Sequence, residues 1–66
     1  MTVLVNGEPR DGIEGRALAD LLVEVAGTLR GSAAVVDDEV VPRGEWQSFQ
    51  LRDGQRIEVI KAVQGG

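Results

Sequence analysis

The last four residues, Val63-Gln64-Gly65-Gly66, hold the group best suited to chemistry in this chain, the carboxylate expected on Gly66. No Cβ flanks that acyl carbon, and two successive glycines give the backbone freedom to thread a narrow channel. Residues 61–66, fully extended, would reach about 20 Å. That is enough to deliver the end of a rigid body into another protein's active site, with Val63, Gln64 and Gly65 touching the channel. A free carboxylate is a poor electrophile, so acyl chemistry there requires prior activation, most simply as an acyl-adenylate. The competing reading is a glycine-rich chain end with no role.

Other chemistry is poorly provided for. The sequence contains no cysteine and no histidine, which removes disulfides, zinc and iron–sulfur sites and Cys- or His-based nucleophilic catalysis. Ser32 and Ser48 have no histidine to serve as base. Asp37, Asp38 and Glu39 are consecutive in an apparent turn, where solvent surrounds them and nothing separates their pKa values for acid–base work. The stretch NGEPRDGIEG lacks the spacing and the lysine of a phosphate-binding loop. No catalytic residue, metal site or bound cofactor is expected.

The elements that would carry the tail can be read in order. TVLV followed by Asn6-Gly7 is a strong hairpin signal, because both turn positions favour positive φ. The return strand, residues 8–10, contains Pro9, which cannot donate to a ladder, so this strand belongs at an edge or at least has an open donor side. Leu18, Leu21, Leu22 and Val25 then fall at i, i+3, i+4 and i+7, predicting a helix over residues 17–26 with that stripe against a sheet. Gly27 supplies its stop. No Ser, Thr, Asp or Asn precedes Leu18, so Gly15 or Arg16 is expected at the helix start. SAAVVDDEVV reads as two strands about an Asp37-Asp38 turn, stopped by Pro42. Irregular chain follows, with Trp46 and Phe49 as core or rim plugs. After an Asp53-Gly54 turn, residues 56–63 form the longest β-like run. Apolar on both faces, it belongs in the middle of the sheet, so the tail should leave from the sheet's centre.

One helix and one small sheet must cover each other. The order predicts an α+β domain of the ubiquitin-like β-grasp type, a mixed four- to five-stranded sheet packed on one main helix. Residues 1–63 make up the domain and residues 64–66 a flexible Gly-Gly tail. With 66 residues there is room for one core. A net charge of −4 and the absence of a basic cluster argue against nucleic acid; the acidity either simply keeps a small domain soluble or steers it to partners with positive surfaces. An apolar patch rimmed by acidic residues is expected near the exit of the final strand, with Asp37, Asp38 and Glu45 as candidate steering charges. MTVLVNG has neither the basic region nor the apolar run of a signal peptide, and nothing approaches the length of a membrane span. A cytoplasmic protein, monomeric when free, is expected.

Val5-Asn6-Gly7, Leu18 with Leu21-Leu22, Val41-Pro42-Arg43 with Trp46, and the run from Asp53-Gly54 to Gly66 together resemble the ThiS family of sulfur carriers in thiamin biosynthesis. The likeness spans the whole chain. Gly-Gly alone is common to ubiquitin-like carriers, whereas V-P-R-x-x-W combined with A-V-Q-G-G is specific. Departures are Gln55 in place of a frequent acidic residue, Ala17 where Thr or Ser often caps the helix, and Asp37-Asp38 where Asn is frequent. The resemblance implies a cycle. An adenylyltransferase using ATP activates the Gly66 carboxylate, sulfur from a desulfurase or persulfide protein converts it to a thiocarboxylate, and thiazole synthase receives the sulfur. It also leaves three alternatives: the small subunit of molybdopterin synthase, a ubiquitin-like protein modifier, and an interaction module with an inert tail.

Overall fold

The computed structural model describes residues 2–61. Five strands form one sheet: β1 (Thr2–Val5), β2 (Glu8–Asp11), β3 (Ala33–Val36), β4 (Glu39–Val40) and β5 (Arg56–Ile60), in the order β2-β1-β5-β3-β4. A single α-helix, α1 (Leu18–Ala26), lies between β2 and β3 in sequence, and a short 3₁₀ turn covers Arg43–Glu45. β1 and β5 run parallel, and the other pairings are antiparallel. This is the mixed sheet and single helix of the β-grasp.

Turn chemistry sets the hairpins. Asn6 and Gly7 have φ of 52° and 83°, the paired positive angles of a turn whose twist matches the flanking strands. Asp37 and Asp38 adopt φ of 50° and 69°, so the β3–β4 turn has the same form without any glycine. Aspartate tolerates this region better than most residues, because its short polar side chain can bond locally. β2 is an edge strand, as Pro9 requires, and extends to Asp11.

The core lies between one sheet face and α1. Val3, Val5, Ala34, Val36 and Ile57 from the sheet meet Leu18, Leu21 and Leu22 from the helix, all buried. Val25 is half-buried at the margin of this core, while Ala19 and Ala26 complete the buried face of α1. Small alanines carry little hydrophobic signal in a periodic reading, yet they permit close approach.

The helix start differs from the expectation. Ala17, not Gly15 or Arg16, is the cap residue, with an extended backbone and no side-chain capping bond. The first free N–H groups of a helix need acceptors, and here the irregular segment supplies them. Leu18 donates to the Phe49 carbonyl at 2.8 Å and Ala19 to the Trp46 carbonyl at 2.9 Å. Trp46 is 3% exposed and its indole N–H donates to the Val41 carbonyl at 2.9 Å. The segment after Pro42 therefore plugs the core with one side chain and caps the helix with its backbone. At the other end Gly27, at φ 82°, donates to the Val23 carbonyl and stops the helix as expected.

Candidate functional site

β5 is the element that would carry the tail, and it holds the central position. Its start is bound on one side to β1, pairing Leu4 with Arg56 and Val5 with Ile57. On the other side β3 follows it throughout, from Val36 opposite Ile57 to Ala33 opposite Ile60. The reason differs in part from the expected one. Both edges of β5 are hydrogen-bonded, but only one face is covered: Ile57 is buried and Val59 half-buried, whereas Arg56, Glu58 and Ile60 are exposed. Among the described residues the strand runs to Ile60 and Lys61 follows as exposed chain, while the expected continuation to residue 63 lies partly outside the described residues. Val63, Gln64, Gly65 and Gly66, the expected channel contacts and carrier residue, lie outside the described residues.

Two turns fix the start of β5. Gly54 donates to the Thr2 carbonyl at 2.8 Å while the Thr2 N–H donates to Asp53 Oδ1 at 2.6 Å. From the β3 side, the Asp37 N–H donates to the Arg56 carbonyl, Asp37 Oδ1 accepts from the Arg56 N–H, and Asp38 accepts from the Arg56 guanidinium at 2.7 Å. Asp37 and Asp38 are thus exposed, as expected, but they clamp the first residue of β5. That puts them at the opposite end of the strand from the exit, which corrects the reading of these residues as a rim around it.

An open cleft of about 420 Å³ near this turn is lined by Val41, Pro42 and Phe49 together with Asp37, Glu39 and Glu45. Apolar and acidic residues thus meet in a cleft away from the exit. The open face of the sheet also carries exposed apolar residues. Alternation and register put Leu4, Val35, Val40, Arg56, Glu58 and Ile60 on one face, with Ile60 at the exit end of β5 and Leu4 opposite Arg56 at its start. Leu4 is 38%, Ile60 50% and Val40 72% exposed.

A further contact was not visible in the sequence. Asn6 N–H donates to the Ile57 carbonyl at 2.9 Å, and Asn6 Oδ1 accepts from the Val59 N–H at 2.9 Å. The sequence marks Asn6 as a turn residue, but no local signal links position 6 to position 59.

Among the described residues no polar or charged side chain is buried, and no group of three potential metal-binding side chains is found. Every described carboxylate is exposed. No described helix is long and apolar enough to cross a membrane.

Comparison with known proteins covers the same length. Residues 3–66 match the model of the ThiS family. The sulfur carrier protein ThiS of Thermus thermophilus is 39% identical over 64 residues, spanning 97% of this chain and 98% of that protein. The sulfur carrier protein ThiS of Escherichia coli is 26% identical over 66 residues, the full length of both. Among solved structures, the crystal structure of the thiamine biosynthesis protein ThiS from Geobacter metallireducens aligns over the whole of both chains, with a TM-score of 0.77 and 28% identity.

Proposed function

The chain belongs to the ThiS family, and on that basis we propose that it is a sulfur carrier of thiamin biosynthesis whose working group is the Gly66 carboxylate. The observation that carries this reading is the end-to-end correspondence with the Thermus thermophilus sulfur carrier, 39% identical over 97% of this chain. The central place of β5 supports it, since that strand leads toward the Gly-Gly end from the best-braced part of the sheet. Names from the thiamin pathway favour this assignment over the molybdopterin one.

In this reading residues 1–63 are the folded body and residues 64–66 the segment presented to partners. The Gly66 carboxylate attacks the α-phosphorus of ATP in an adenylyltransferase, pyrophosphate leaves, and a mixed anhydride with AMP forms. A persulfide sulfur on a desulfurase or carrier protein then attacks the acyl carbon and AMP departs. Cleavage of the S–S bond by a thiol leaves Gly66 as a thiocarboxylate, and thiazole synthase takes the sulfur. The chain contributes the acyl group and a docking surface, and its partners contribute the catalysis. Val63, Gln64 and Gly65 line the partner's channel, where a Cβ at residue 65 would crowd. Exposed Ile60, at the end of β5, belongs to the surface beside the exit that partners meet. Such a carrier works as a cytoplasmic monomer between encounters.

The test is a sulfur-transfer assay with the cognate adenylyltransferase, ATP and a persulfide donor, read by intact mass. Deleting Gly66, or adding one residue after it, should abolish sulfur gain and leave the far-UV circular dichroism unchanged. Sulfur gain by the deletion variant would overturn the assignment.

A further inference from the structure

In a parallel pair, rungs recur along one strand every second residue. β1 donates from Leu4 to the Gln55 carbonyl and from Asn6 to the Ile57 carbonyl, each at 2.9 Å. The next rung would take the Val59 N–H to an acceptor on β1, but at Asn6 the backbone turns left-handed into the hairpin, at φ 52°. The Asn6 side chain fills that place, its Oδ1 accepting from the Val59 N–H at 2.9 Å. The ladder is thereby extended one rung beyond the last residue of β1. Val59 turns its N–H toward Asn6, while Ala34, its register partner on β3, turns its own carbonyl to Val41 on the far side.

This rung lies one residue before the end of β5. Ile60 and then Lys61 follow directly in the chain, and without the Asn6 carboxamide the Val59 N–H would have no acceptor at the β1 edge. We propose that Asn6 is a positioning residue for the acyl end of the chain: its carboxamide, acting as a strand carbonyl, fixes the line along which the segment after Ile60 is offered to a partner. The proposal rests on the reading of Gly66 as the carrier residue. Asparagine suits two demands at once, since it tolerates the left-handed turn and brings its own acceptor. Glycine would meet only the first demand, and aspartate would meet both.

Asn6→Gly and Asn6→Asp separate the two roles. In Asn6→Gly the turn keeps its geometry, and the Val59 amide should exchange with solvent about 5- to 10-fold faster, the loss of one modest hydrogen bond. The Ile57 amide should be unchanged as an internal control. With the adenylyltransferase that activates the wild-type chain, kcat/KM for the carrier should fall about 3- to 10-fold, mostly through KM, since the end must be aligned anew at each encounter. Asn6→Asp should retain the wild-type Val59 exchange and kinetics. The proposal is overturned if Asn6→Gly exposes Val59 without changing kcat/KM, if Val59 exchange does not rise, or if Asn6→Asp is impaired equally. A wild-type chain that gains no sulfur would instead overturn the carrier reading, and the positioning role with it.

Discussion

Replacing Trp46 by Phe should destabilise the domain out of proportion to the few atoms removed. The indole is 3% exposed and its N–H donates to the carbonyl of Val41, itself 7% exposed. Phe keeps most of the apolar bulk but removes the donor, and a buried carbonyl left without a partner costs about 1–3 kcal/mol. The space vacated by the smaller ring adds about 1 kcal/mol, a fraction of the full Trp→Ala cost. The total, about 2–4 kcal/mol, is set against a stability of about 3–10 kcal/mol expected for 66 residues. With a urea m-value of about 1 kcal/mol/M, the midpoint should move down by about 2–4 M. Far-UV circular dichroism is the probe, since the variant lacks the only tryptophan. The Leu18 and Ala19 amides should also lose protection, because their acceptors are the carbonyls of Phe49 and Trp46. Half-buried Phe49, changed to Leu, should cost less than about 1.5 kcal/mol. A Trp46→Phe shift below about 1 M, or one no larger than that of Phe49→Leu, would refute the claim that this segment is both plug and cap.

Two other perturbations test the local arguments. Asp37→Val should cost more than about 1–2 kcal/mol, because a β-branched side chain is strained at φ 50° and the Arg56 N–H loses its acceptor. Asp37→Asn, which keeps the acceptor and tolerates the turn, should stay within about 0.5 kcal/mol, both read from urea midpoints. Glu24 contacts Arg10 and Arg16 at 3.1 and 3.2 Å, but the partners are 35–46% exposed. Glu24→Gln should therefore change stability by less than about 0.5 kcal/mol despite two ion pairs; a loss above about 1 kcal/mol would mean that this pairing braces β2 against α1.

What the sequence disclosed follows from how far each signal reaches along the chain. Asn6-Gly7, the Leu18–Leu21–Leu22 stripe and Gly27 are local, and each appears where the pattern predicts. Pro9 gave the edge strand for a local reason as well. The central place of β5 was legible from its length and apolar character, although the second apolar face proved to be open rather than buried. The helix cap was not legible, because the acceptors for Leu18 and Ala19 come from carbonyls about 30 residues later in the chain, and backbone groups leave no trace in residue type. The same holds for the Asp37–Arg56 clamp and for the carboxamide of Asn6 at Val59. Long-range polar contacts of this kind require the folded topology. For the candidate site, the strand leading to the tail could be compared with the structure, while Val63 to Gly66 lie outside the described residues and rest on the family and the chemistry of a terminal glycine.

The central claim is that Gly66 carries sulfur, and its most direct test is the mass of the protein itself. The full chain, incubated with its adenylyltransferase, ATP and a persulfide donor, should gain the mass of one oxygen exchanged for sulfur. Fragmentation should place that change on Gly66, and omission of ATP should prevent it. An unchanged mass under these conditions, or sulfur located on any other residue, would contradict the account.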